Sequence, residues 1–316
     1  MSRQSKELQN RWEPEGADYA LDALLRGRAE SPHGAYEGRV DLRGLAIEQP
    51  ERVRINDDLA RIAKIFKFEK KLIRGVDLSH AVLPEWRVHE STFEDCVFDS
   101  ARLISLRTYS ATFNACSFKN ADLREASLGA PVKEKAQGGL YTSCDFTGAD
   151  LRNVGTEDGT FSHCSFVGTR WYGTRMLTAV FENCDFRDAE IAEVFFDGRG
   201  FGKRGPTGLG KNKLAGCDFS TANLHGTSFL AIDFRNVIPP VADRYVLVSD
   251  FPRRVEIATD RLTSNGTREA QWLAMRFKSE FVAARALPAD AVGMLDFGDL
   301  STEDARLLAA VFELSH

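Results

Sequence analysis

The most reactive side chains in this chain are six cysteines, and their placement is regular. Cys96, Cys116, Cys144, Cys164, Cys184 and Cys217 each stand two residues before a Phe. A thiolate can be a nucleophile or a metal ligand, but structural zinc sites use closely spaced Cys pairs and no Cys-x-x-Cys occurs here. Three of the intervals, Cys96 to Cys116, Cys144 to Cys164 and Cys164 to Cys184, are twenty residues. Such spacing points to reduced thiols acting as small apolar side chains. His163 beside Cys164 offers no base and nucleophile, because the repeat turns Cys164 inward and leaves His163 near a corner. Gly205-Pro-Thr-Gly-Leu-Gly210-Lys211 matches most of a phosphate-binding loop. Asn212 replaces the hydroxyl that would hold magnesium, Pro206 removes an amide, and Cys217-Asp-Phe follows where a helix should open. Asn265-Gly-Thr267 is a glycosylation sequon without meaning in a cytosolic chain, and the histidines do not cluster in sequence. We therefore expect no catalytic, cofactor-binding or metal-binding residues, and no enzyme.

The elements that carry these cysteines follow from a five-residue phrase repeated from about Ile73 to Phe234. It reads Ser91-Thr-Phe-Glu-Asp, Cys96-Val-Phe-Asp-Ser, Ala101-Arg-Leu-Ile-Ser, then Ala111-Thr-Phe-Asn-Ala, Cys116-Ser-Phe-Lys-Asn, Ala121-Asp-Leu-Arg-Glu. A period of five fits neither a helix nor a long strand, but fits a chain that turns a corner every five residues. Four sides make a coil of twenty, and successive coils stack about 4.8 Å apart through strand-like ladders. The first face carries the Cys and their Phe partners. The second carries Leu103, Leu123, Leu151, Trp171, Ile191 and Leu224; the third Thr108, Leu128, Thr156, Met176, Phe196 and Phe229; the fourth Phe93, Phe113, Tyr141, Phe161, Phe181, Leu214 and Phe234. The fold expected is an all-β solenoid.

Two flanking regions complete the chain. Residues 1–72 read as a helical N-terminal cap with degenerate repeats at Leu42 and Ile47, a helix over Pro14–Arg28 and a second over Asp57–Lys70. Residues 237–316 read as a small α/β cap: strands at Tyr245-Val-Leu-Val and Arg254-Val-Glu-Ile-Ala, a helix from a Thr267 cap to Leu287, and a last helix after the capping box at Ser301. Between them, residues 73–236 form the β-helix, with insertions near 129–140 and 197–213. Both insertions fall between the third and fourth faces, so both leave the rod at one corner.

Loops on a rigid scaffold are where function concentrates. The candidate partner-binding residues are Lys133 and Lys135 in the first insertion and Arg199, Phe201, Lys203, Arg204 and Lys211 in the second. Tyr109, Leu177, Phe195 and Leu230, outward on the third face, are expected to point to solvent, and contiguous apolar surface of this kind takes either a partner or a covering segment of the chain, such as the insertions that begin beside this face. Asp145, Asp185 and Asp218, outward on the first face, could imitate a line of phosphates or simply be a solvated face. Net charge is −5, which opposes direct nucleic-acid binding. No run of eighteen apolar residues occurs and the N-terminus lacks the apolar stretch of a signal peptide, so the expected location is cytoplasmic, without membrane insertion.

The phrase resembles the A(D/N)LXX consensus of the pentapeptide-repeat family, most literally at Ala121-Asp-Leu-Arg-Glu, Ala149-Asp-Leu-Arg-Asn and Ala222-Asn-Leu-His-Gly. The resemblance covers about half the chain and implies a right-handed quadrilateral β-helix. Similarity to its Qnr-type members, which carry two projecting loops, implies a non-catalytic DNA mimic that binds DNA gyrase or topoisomerase IV and protects it from an inhibitor, a role in antibiotic resistance. It also implies a homodimer through the C-terminal region, although this cap is larger than theirs. A second reading stays open: a rigid scaffold docking an unrelated protein partner through the third face and the C-terminal cap. Mimicry requires a continuous negative stripe along the rod, whereas a scaffold tolerates mixed charge.

Overall fold

The computed structural model describes residues 2–47, 52–54, 60–62, 66–132, 138–156, 158–176, 179–202, 205–209 and 214–314. Its body is a four-sided parallel coil. On the fourth face Ile73, Phe93, Phe113, Tyr141, Phe161 and Phe181 lie in register on six adjacent strands. On the third, Phe68, Val88 and Thr108 align, and further along Met176, Phe196 and Phe229. The second face shows the same register at Trp171, Ile191 and Leu224. Parallel bridges join the first-face residues Asp77, Val97, Ser117, Asp145, Ser165, Asp185 and Asp218. This is a right-handed β-helix, and each corner is made by the fifth residue of a unit, as at Asp95, Ser100, Ser105 and Ser110, with φ of 51°, 56°, 58° and 45°.

Stacking coils one strand spacing apart stacks their centres as well. Phe98, Phe118, Phe146, Phe166, Phe186 and Phe219 form a column with ring centroids between 4.6 and 5.0 Å apart, close to the ladder spacing of about 4.8 Å. The fourth-face rings meet this column edge-on across the corner, as in Phe113 to Phe118 at 5.7 Å, the geometry aromatic quadrupoles favour. Thr108 is a polar residue in this core. It contacts the Tyr141 Oη at 3.0 Å, which explains a Tyr in a Phe column. The six cysteines are free and at most 2% exposed. Each thiol donates to a backbone carbonyl, as Cys116 Sγ to Phe93 O at 3.5 Å. Burial pushes the Cys144 thiol up.

The N-terminal end is covered by helices α1 (Arg3–Asn10) and α2 (Pro14–Leu25). Ser2 caps α1 by accepting from the Ser5 amide, and Pro14 opens α2. Helix α1 lies directly on Gly44, where any Cβ would overlap the Leu8 carbonyl. Ala20 and Leu24 of α2 join the rod core beside Leu42 and Leu45. Val40 pairs with Val76 and Ala46 with Val82, so this stretch is laid down as part of a coil. A helix over Asp57–Lys70 is not formed. The described residues there are a hairpin, Arg52–Arg54 with Ala60–Ile62, and the strand Lys67–Glu69; residues 55–59 and 63–65 lie outside the described residues. Register with Val88 buries Phe68 completely, and that packing outweighs the helical spacing of the neighbouring apolar residues.

Beyond Val237 the chain forms helices α3 (Phe251–Asn265), α4 (Arg268–Arg276), α5 (Lys278–Ala284) and α6 (Thr302–Val311), with a two-stranded antiparallel sheet, Tyr245–Val248 against Gly293–Asp296. Arg254–Ala258, expected as a strand, lies in α3, whose Phe251, Val255, Ala258 and Leu262 are buried at helical spacing. The helix expected through Leu287 breaks at Phe277 into α4 and α5. Thr267 and Ser301 cap α4 and α6 by accepting from the Ala270 and Asp304 amides. This region has its own core, which reaches back to take in Leu230 and Ala231 of the last coil. No helix among the described residues is long and apolar enough to cross a membrane.

Candidate partner-binding surfaces

The outward carboxylates have a recurring local chemistry. In Asp-x-Arg, the Asp accepts the amide of the residue two ahead, a turn its side chain favours, and the Arg folds back onto the same carboxylate. Arg43 does this on Asp41, Arg124 on Asp122, Arg152 on Asp150, Arg187 on Asp185, Arg199 on Asp197 and Arg235 on Asp233. Arg11 adds a second guanidinium on Asp41 at 2.9 and 2.5 Å. Burial raises the Asp41 pKa, but the bonds from Arg11 and Arg43 outweigh it and the net shift is strongly downward. Hydrogen bonding to Arg187 lowers Asp185 in the same way.

The three candidate aspartates of the first face therefore each have partners. Asp185 is clamped by Arg187 at 2.6 Å, Asp145 meets Lys119 at 3.2 Å, and Asp218 accepts from the Ser220 amide with Arg187 4.0 Å away. Charge along the first and second faces is mixed, not a continuous negative stripe.

At the corner between third and fourth faces, the first insertion leaves after Leu128. Gly129, Gly138 and Gly159 pack backbone against backbone there, with no room for a Cβ at any of them. Lys133 and Lys135 lie outside the described residues. The second insertion is an antiparallel hairpin, Arg199–Gly202 with Gly205–Leu209. Gly205–Leu209 is a strand, and residues 210–213, which complete the motif, lie outside the described residues. Arg199 holds Asp197, which is 1% exposed, and is a structural cation, not a projecting one. Phe201 sits opposite Pro206 in the hairpin backbone. Lys203, Arg204 and Lys211 lie outside the described residues.

The third face is less uniform than its apolar residues suggest. Phe195 is 41% exposed. Leu230, expected at the surface, is 8% exposed because the C-terminal core covers it, and Ser228 two residues before donates to Glu280 of α5 at 3.0 Å. Leu177 lies outside the described residues. Tyr109 is half-buried and stacked on His89, with ring centroids 4.3 Å apart. The sequence reading passed over the neighbouring row, where Lys67, Arg87 and Arg107 stand directly in register. Their twenty-residue spacing was the available signal. On the cap, Trp272, Met275 and Val282 are 38%, 69% and 51% exposed. Among the described residues, no group of three or more His, Cys, Asp or Glu is placed to hold a metal ion.

A four-sided parallel coil with five-residue sides, inward central residues and left-handed corners defines a quadrilateral β-helix. A family model described as pentapeptide repeats matches the chain in eight copies, with residues 209–238 matched. The chain carries pentapeptide repeats. A search of curated proteins finds no match. Among solved structures the chain is similar to a trypsin-treated variant of QnrB1, a plasmid-mediated fluoroquinolone resistance protein, at 16% identity and TM-score 0.29, over 60% of this chain and 90% of that one. It is similar to Rfr23, a pentapeptide repeat protein from the cyanobacterium Cyanothece 51142, at 14% identity and TM-score 0.23, over 39% and 82%. It is also similar to HetL from the cyanobacterium Nostoc sp. strain PCC 7120, involved in heterocyst differentiation regulation, at 13% identity and TM-score 0.15, over 56% and 90%. Likenesses of this size carry nothing about partner or activity.

Proposed function

We propose that this protein is a non-catalytic scaffold that docks a protein partner through the third face and the C-terminal cap. The observation that carries the reading is the Asp-x-Arg pairing on the first and second faces. Each carboxylate held by its own guanidinium, as Asp150 by Arg152 and Asp185 by Arg187, presents a weakened field to a partner, while Phe195, Trp272 and Met275 remain exposed. A photo-crosslinking residue placed at Phe195, at Trp272 and, on the first face, at Thr147 tests it in the native host. Adducts to one discrete protein at Phe195 or Trp272, with none at Thr147, are expected. Adducts confined to Thr147 would overturn the scaffold reading.

One observation favours a second reading, a topoisomerase-directed DNA mimic. Beyond the first coil, the first face carries Asp77, Asp99, Asp145, Asp185, Asp188 and Asp218 against Lys119 and Arg187, a negative excess despite the pairing. DNA gyrase supercoiling in the presence of a quinolone, with the protein and with a variant shortened between Gly198 and Lys211, separates the two readings. Rescue that disappears with the loop supports the mimic; no rescue at micromolar protein removes it.

A further inference from the structure

We infer that the column Lys67, Arg87 and Arg107 on the third face, beside the His89–Tyr109 stack, is a docking strip for an acidic α-helix of the partner, a proposal that deepens the scaffold reading and rests on it. Elsewhere on the rod, Arg43, Arg124, Arg152, Arg187, Arg199 and Arg235 fold onto an Asp two residues before them, and Arg74 and Arg170 meet Glu94 and Asp150 of neighbouring coils. Arg87 and Arg107 have no such Asp, since Glu85 and Ser105 stand there. Among the described residues neither makes an ion pair with a carboxylate, and the Arg87 Nε is buried with no hydrogen-bond partner. Its Nη1 reaches only the Tyr109 Oη, at 3.4 Å. The buried Nε is closed to a docking group, so the remaining guanidinium N–H groups of Arg87, and those of Arg107, are what a carboxylate from outside can meet. Lys67 meets Glu69 at 2.8 Å, but both are exposed, so that pair exchanges readily for another carboxylate.

Spacing selects the conformation of the acidic segment. Three cations on consecutive coils lie at about 0, 4.8 and 9.6 Å along the rod axis. Carboxylates at positions i, i+3 and i+7 of an α-helix lie at about 0, 4.5 and 10.5 Å along its own axis, within about 1 Å of each cation. Alternate residues of an extended strand lie at about 0, 6.8 and 13.6 Å, so the third is about 4 Å out of step. Phosphates of one duplex strand advance about 3.4 Å and fall out of step in the other direction. A helix laid along the axis also sets a second row of its side chains over His89 and Tyr109, an aromatic platform for an apolar or aromatic residue.

Fluorescence anisotropy with the full chain tests the inference. The probes are a fluorescein-labelled, lactam-stapled helical peptide with Glu at i, i+3 and i+7 and Leu on the adjoining row, the same composition with Glu on alternate residues of an extended peptide, and a twenty-nucleotide oligothymidine. The helical probe should bind at least tenfold more tightly than the extended one. Arg87→Gln and Arg107→Gln should each weaken it about tenfold and reduce its salt dependence, while Arg102→Gln, an exposed cation on the second face, should leave it unchanged. Equal binding of the two peptides, tighter binding of the oligonucleotide, or no binding at millimolar probe overturns the proposal. Circular dichroism of each variant guards against misfolding. If crosslinks at Phe195 or Trp272 persist in Arg87→Gln, this inference falls and the scaffold reading stands.

Discussion

Asp41 shows how one residue serves local structure and end-capping at once. Its carboxylate accepts from the guanidiniums of Arg11, just beyond α1, and Arg43, in the first coil, so a single side chain ties the N-terminal helices to the rod. Breaking such a buried pair by removing one charge typically costs about 3 kcal/mol or more, and Asp41→Asn should lower stability on that scale in urea unfolding. The pH dependence follows from direction alone. Asp41, Asp145, Asp150, Asp185 and Asp233 are all depressed in the folded chain, so their stabilisation is fully present above the unfolded carboxylate pKa of about 3.9 and is lost as pH falls below it toward the folded values. Melting temperature should begin to fall below about pH 6.5, where burial of His33, His80 and His89 disfavours their charged forms, and should fall steeply below about pH 4. Asp41→Asn should flatten that fall, and an unchanged acid limb would show that these pairs do not set it.

The coils themselves are held by columns, and a gap in a column cannot be filled from the side. Phe146 is fully buried between Phe118 and Phe166 at 4.8 and 5.0 Å. Phe146→Ala should therefore cost about 3–5 kcal/mol, read as a shifted denaturation midpoint; a loss below about 1 kcal/mol would mean that the rod collapses freely along its axis. This regularity is why the central fold was legible: a five-residue phrase with a twenty-residue recurrence places Phe98 over Phe118 without reference to anything else in the chain. The flanks were legible only where local rules ruled. Ser301 and Thr267 mark helix starts by side-chain chemistry that acts within three residues. Helix α1 has a single leucine and docks through Ser5 and Gln9 onto His80, contacts that no apolar pattern announces. Phe68 belongs to a coil because of Val88, twenty residues away. The candidate surfaces were the least legible, because an outward Asp looks the same in sequence whether or not an Arg two residues on has closed over it. Leu230 has a cover, as its outward apolar position allowed, but the cover comes from α5 and not from an insertion beside the face.

At the scale of the molecule, the rod is a stack of parallel ladders, and each end of such a stack has unsatisfied strand edges. The C-terminal cap meets the last coil through contacts of several kinds: Ser228 to Glu280, the Phe234 amide to Val292 O at 2.9 Å, and Tyr245 Oη donating to Leu224 O at 3.0 Å. Truncation after Val237 would uncover Leu230, Ala231 and Phe234 together with an open edge. We expect the truncated rod to self-associate, seen as a concentration-dependent rise in mass by light scattering after size exclusion. A truncated chain that stays monomeric would show that the cap is dispensable for sealing the end.

The left-handed corner at every fifth residue gives the molecule a quantised length. Because each coil closes after four corners and the next begins in register, adding or removing twenty residues slides everything beyond that point by one step of about 4.8 Å along the axis. The points where the two insertions depart, after Leu128 and after Phe196, are three such steps apart. Their separation can change only in whole steps, so the chain is a ruler with fixed graduations, and a partner that reads both marks would sense the gain or loss of a single coil.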